Sequence, residues 1–228
     1  MKKLIMIIFI VSLTAGLYAQ STFFATKVGT ELTYVNKDAK GKATSYTKMI
    51  IKNVQGSGRN MTISYETELL DKNRKSLNPP QVMPLKVVIK DNVMTLDMKE
   101  MFASPMQDQS IQIEFTGIPQ EIPNNIQPGQ TLKDSEMTMT MDMVVMKMTT
   151  VVKTTDGKCE AIEDVTVPAG TFKCHKITQT ITTTAMRKTS TSKVFTWYAP
   201  GVGTIKTETY DSKSKLQGSM ELVELKGN

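Results

Sequence analysis

Residues 163–206 read EDVTVPAGTFKCHKITQTITTTAMRKTSTSKVFTWYAPGVGTIK. Two Pro/Gly turns, Pro168-Ala169-Gly170 and Pro200-Gly201, punctuate this stretch, with Arg187-Lys188 as a third break between them. Proline presets φ for one turn position and glycine supplies a left-handed one. Between the turns lie threonine-, valine- and isoleucine-rich runs. Branched side chains are stiff at χ1 and suit a pleated surface better than a helix. The chain holds 31 threonines among 228 residues. The stretch therefore predicts strand–turn–strand units, and the same pattern extends in both directions.

Toward the C-terminus, 202–210 and 216–225 are further strand candidates. Upstream, 136–144, 146–154 and 158–167 read as strands, with Thr155-Asp156-Gly157 as a turn. Toward the N-terminus, 30–35, 43–54, 60–70, 82–90, 93–96 and 111–115 alternate between polar turns. Residues 97–103 predict one or two helical turns. The segment 117–130 carries Pro119, Pro123 and Pro128, so it cannot be a central strand. Turns spaced near every ten residues predict an all-β fold. The expected form is an antiparallel meander curled into a barrel, half-barrel or sandwich, with little helix. Residues 20–228 are expected to form one domain, with two lobes joined near 117–130.

Residues 1–19 read differently. Lys2 and Lys3 precede an apolar run, 4–13, and then Ala15, Gly16 and Ala19. This is the pattern of a secretory signal peptide, too short for a membrane span of about 20 apolar residues. Cleavage after Ala19 would leave Gln20 first. No cysteine stands there for lipid attachment. The expected location is the periplasm or the exterior of a Gram-negative bacterium, with no transmembrane segment after cleavage.

Composition narrows function. The formal charge of +6 falls to +4 without Lys2 and Lys3, and the remaining cations are scattered among acids. A nucleic-acid protein gathers them in a stripe, so no nucleic-acid partner is expected. His175 is the only histidine, and its neighbour Cys174 would point to the opposite face of a strand. A Cys-His nucleophile is thereby disfavoured. Glu66, Glu68, Glu114, Glu160, Glu163 and Asp164 have no context that marks a carboxylate enzyme. No catalytic residue, cofactor or metal is expected.

Met137, Met139, Met141 and Met143 recur at period two and would share one face of a strand. Thioethers suit Cu(I), but no histidine or cysteine accompanies them in sequence. They are expected to line a core or pocket, as adaptable gap-fillers do. Trp197 and Tyr198 offer large surfaces to opposite faces and join them as pocket candidates. Cys159 and Cys174 are the only cysteines, and an exported chain meets an oxidising compartment. A disulfide between them is expected if a wide loop sets them opposite one another. A tight turn near Ala169 would instead pair Cys174 with Asp164 and separate the two.

The motifs VTVPAGTFKC and WYAPGVGTIK resemble the TapB-like group of exported bacterial proteins. The likeness is strongest over 158–210, and the opening VGTELTY of 28–34, with Asp38 and Gly41-Lys42 after it, is also similar. The resemblance implies an all-β exported domain and no reaction. The function expected is an exported, non-catalytic envelope protein, a binding module for an apolar or extended ligand. The alternatives are an assembly partner docking through a sheet edge and, third, a carboxylate-dependent hydrolase.

Overall fold

The computed structural model describes residues 22–97, 112–143 and 146–227. Thirteen strands follow in order: β1 Glu31–Asp38, β2 Ala43–Ser57, β3 Asn60–Leu70, β4 Ser76–Lys90, β5 Val93–Asp97, β6 Gln112–Ile118, β7 Glu121–Pro123, β8 Ser135–Met143, β9 Met146–Val167, β10 Gly170–Ala185, β11 Lys188–Ala199, β12 Gly203–Asp211 and β13 Leu216–Lys226. There is no helix among the described residues. The fold is all-β: one antiparallel sheet in the order β6-β8-β9-β10-β11-β12-β13-β1-β2-β3-β4-β5-β7. The first and last strands pair in its middle, Glu31 opposite Lys226. Residues 1–19, expected to be a signal peptide, and most of the helical turn predicted over 97–103 lie outside the described residues.

The order of strands forces the sheet to curl. β6 and β7 are its two edges, and a flat sheet of thirteen strands would hold them about 55–60 Å apart. Yet only Pro119 and Gln120 separate Ile118 from Glu121 in the chain, a span of about 10 Å at full extension. The sheet therefore rolls until its edges come near each other without pairing, an unclosed barrel. The concave face carries Leu32, Tyr34, Ile51, Ile63, Val87, Ile177 and Leu222, all buried. Phe23 enters one end of the roll. It stacks on Tyr198 with ring centroids 5.6 Å apart and meets His175 edge-on at 4.9 Å. Its amide donates to Asn124 Oδ1 at 2.8 Å.

Two sequence expectations change. Thr155-Asp156-Gly157 is not a turn, because β9 runs on through it. Between Thr178↔Lys158 and Thr180↔Thr155 two residues of β9 oppose one of β10, which is a bulge. The region 117–130 supplies no central strand, as expected, and adds only an edge strand: Glu121–Pro123 pairs with β5. Pro123 is tolerated because β7 is an edge. The second change is the disulfide, since Cys159 and Cys174 are free thiols. The β9–β10 turn is tight but one residue shorter than expected, Pro168-Ala169 between paired Val167 and Gly170, which puts Cys174 opposite Glu163 rather than Asp164, and Cys159 opposite Ile177. Three residues of offset is about 10 Å, beyond the roughly 7 Å that a disulfide spans. Cys174 and Ile177 are also an odd number apart, so the two thiols occupy opposite faces. Each Sγ donates instead to a carbonyl, Cys159 to Ala161 and Cys174 to Phe172.

Candidate functional site

Strand alternation decides which side chains meet on the concave face. β8 pairs with β6 so that Met139 faces Phe115 and Met137 faces Gly117. On its other side Met137 faces Val152, Met139 faces Thr150 and Ser135 faces Thr154. These residues share one face. With Leu96, Pro119 and Gln120 they line an apolar trough of about 290 Å³. A second hollow of about 320 Å³ shares Leu96, Gln120 and Thr154, and continues past Phe24, Tyr65, Met94, Gln179 and Tyr198. Together they fall within the size range of small-molecule sites. A cleft of about 590 Å³ leads out along the seam between β5 and β6, where Lys90, Asp91, Asp97 and Glu121 stand. The interior is apolar and the mouth is charged.

The residues singled out in the sequence separate accordingly. Met137 and Met139 line the trough, and Tyr198 lines the adjoining hollow. Met141 pairs with Ile113 and Met148 on the same face but lines neither cavity. Met143 ends β8 opposite Met146. Trp197 lies on the convex side, where its Nε1 donates to Glu163 Oε1 at 2.7 Å. Lys176 and Lys206 lie over its ring at 5.0 and 5.3 Å from the centroid. The Cys174–His175 pair is split, as alternation requires. His175 Nδ1 donates to the Ile126 carbonyl at 3.0 Å, and burial holds the imidazole below its usual pKa.

The carboxylates are dispersed. Glu66 pairs with Lys52 at 2.9 Å and Glu160 with Lys158 at 3.5 Å, while Glu68 accepts from the Ser76 hydroxyl. Among the described residues no three His, Cys, Asp or Glu side chains cluster to hold a metal ion. Phe115, Val152, Gln179 and Tyr65 were not legible as site residues. Period two marked their strands, but which strand faced which was not written locally.

Three tyrosines gather on the concave face. Burial raises Tyr34 and Tyr65 well above the usual phenol range and pushes Tyr198 up to about 12, with neighbouring tyrosines adding to the shift in Tyr34 and Tyr65. Burial, with Asp164 and Glu163 nearby, pushes the Cys174 thiol up to about 12. Groups with raised folded pKa values stabilise fully below their unfolded values, and that stability is lost as pH rises through the folded ones. The unfolded values are about 8.5 for a thiol and about 10 for a phenol. The urea midpoint should therefore fall from about pH 9 upward. The slope should steepen above about pH 10, by roughly 1.4 kcal/mol per pH unit for each group still protonated in the fold. A midpoint unchanged near pH 11 would contradict the burial of these groups.

Comparison with known proteins agrees with the architecture. A family model described as DUF3108-like matches residues 27–222, a span that includes both motifs quoted above. The name TapB-like is not the one it carries. Among curated proteins, none matches the chain. Two solved structures share the fold. One is a Bacteroides fragilis protein named as exported, with a YmcC-like fold. It is 19% identical at a TM-score of 0.70, covering 91% of this chain and 100% of its own. The other is a Parabacteroides distasonis protein named as a lipoprotein. It is 22% identical at a TM-score of 0.71, covering 90% of this chain and 99% of its own.

Proposed function

The chain belongs to the DUF3108-like family, and we propose that it is an exported, non-catalytic protein of the cell envelope that holds an apolar or extended ligand on its concave face. The observation that carries this reading is the trough between β6, β8 and β9, walled by Phe115, Met137, Met139 and Val152 and without a charged residue in its lining. Methionine walls adapt to ligand shape at little cost. A ligand burying roughly eight methylenes gains about 0.8 kcal/mol for each, which offsets the lower end of an association cost of about 4–15 kcal/mol. Export is supported by the signal-like residues 1–19 and by the names of the two structural neighbours.

A naphthalene probe whose emission shifts to the blue in apolar surroundings tests the reading. It should bind the purified protein and be excluded by Met139→Trp, which fills the trough. That variant should cost less than about 1 kcal/mol of stability, since the indole enters open space rather than a packed core. Equal probe binding by the variant and the parent would sink the proposal.

A second reading has one observation in its favour. Ile118 on β6 is 65% exposed, and the outer side of β6 pairs with no strand among the described residues. Such an edge can accept a strand from an envelope partner.

A further inference from the structure

The binding reading leaves open what chemistry the ligand carries, and Gln179 narrows it. Gln179 sits opposite the β9 bulge, where Asp156 and Gly157 together face it across the ladder. Asp156 takes a left-handed φ of 54° there. The bulge is held from behind: the Leu132 amide donates to the Gly157 carbonyl at 2.7 Å. A Cβ on residue 157 would come within 2.7 Å of the Leu132 side chain. Bulges re-aim side chains beside functional sites. Gln179 lines the hollow that continues the methionine trough. Its Nε2 is buried and has no hydrogen-bond partner among the described residues.

Buried polar atoms are nearly always satisfied, and one that is not calls for a reason. Of the four such atoms among the described residues, those of Thr22, Tyr34 and Thr178 belong to residues outside both linings, and only Gln179 lines the hollow. Its Nε2 can donate. The same surroundings restrict the charge of whatever accepts. No Lys, Arg, Asp or Glu lines either the trough or the hollow. A carboxylate or ammonium placed there would lose its hydration without gaining a counter-charge. The site thus offers an apolar channel, an unmatched amide donor and no compensation for an ion.

We propose that the ligand is a neutral amphiphile with an ester or amide carbonyl: the carbonyl oxygen accepts from Gln179 Nε2 while the acyl chain lies along Phe115, Met137, Met139 and Val152. The proposal rests on the binding reading above and adds the acceptor to it.

Three probes of one chain length decide it: methyl laurate, laurate and dodecane, each titrated into the purified full chain by displacement of the naphthalene probe. Methyl laurate should bind about tenfold more tightly than dodecane, the worth of one good hydrogen bond, and more tightly than laurate. In Gln179→Leu, which keeps the volume and removes the donor, that advantage should vanish while dodecane binds as before. Equal affinity of the parent for methyl laurate and dodecane, or tightest binding of laurate, overturns the acceptor while leaving the groove standing. An undiminished ester preference in Gln179→Leu also overturns it. Binding of none of the three overturns both readings together. The comparison within the parent protein decides the matter even if the variant does not fold.

Discussion

Gly117→Ala should strip β6 from the sheet and remove the Phe115 wall of the trough while leaving the remaining strands folded. Gly117 has a φ of +110°, and an added Cβ would lie 2.1 Å from the Glu136 carbonyl oxygen. The left-handed backbone alone costs an alanine about 1–3 kcal/mol. The clash is with backbone, so no side chain can swing aside. Gly117 pairs with Met137 one residue from the end of the β6–β8 ladder, and β6 has no second neighbour strand among the described residues. The expected result is loss of amide-exchange protection over 112–118 and 136–142. Affinity for the naphthalene probe should fall at least tenfold, with little change in the main urea transition. Retained protection in β6 together with unchanged probe affinity would refute the account.

Trp197→Ala should act on the whole fold instead. Trp197 is 6% exposed, although it lies on the convex side and not in the concave core. Its ring is covered by the stems of Lys176 and Lys206, and its N–H is held by Glu163. Nearby, the Ala169 amide donates to the Leu222 carbonyl at 3.3 Å, which folds the β9–β10 hairpin over toward β13. Removing the indole takes away large buried area and leaves Glu163 Oε1 with only the Lys176 ammonium, 4.0 Å away. A loss of about 3–5 kcal/mol is expected, as for other large aromatic truncations. Trp197→Phe should recover only the packing share of that loss and stay short of the parent by the hydrogen bond's roughly 1.5–3 kcal/mol. Urea unfolding with an unchanged slope reads both. A loss below about 1 kcal/mol in the alanine variant would mean that the hairpin does not seal the convex side.

The strands were legible because their evidence is local. Alternation over Ile113 and Phe115, and over Met137, Met139 and Met141, is written in consecutive residues. So is the Pro168-Ala169 turn. The disulfide illustrates the limit. The tight turn was one of two registers that the sequence allowed, and the preference for a bond came from counting cysteines. The ladder took the tight turn but one residue off the expected register, so that Cys174 meets Glu163 and not Asp164. Thr155-Asp156-Gly157 has the composition of a turn, yet β10 stays paired on both sides of it. Tertiary pairing turned a local turn signal into a bulge.

By itself, the sequence determined the all-β class, the antiparallel meander, that Trp197 and Tyr198 face opposite sides, and the apolar stripe of alternate methionines, but not which of the two rings faces inward. Each follows from a period of two residues and from turn chemistry, which act over a few bonds. Only the tertiary structure decided that β13 returns to β1, that Pro119-Gln120 ties opposite edges of one sheet, and that the sheet must roll in consequence. That roll sets Met139 from one half of the chain in the same lining as Leu96 from the other, and brings Gln179 and Tyr65 into one hollow. Such contacts depend on which strands pair across more than a hundred residues. That pairing is set by the joint burial of the concave face, which no local window of sequence contains.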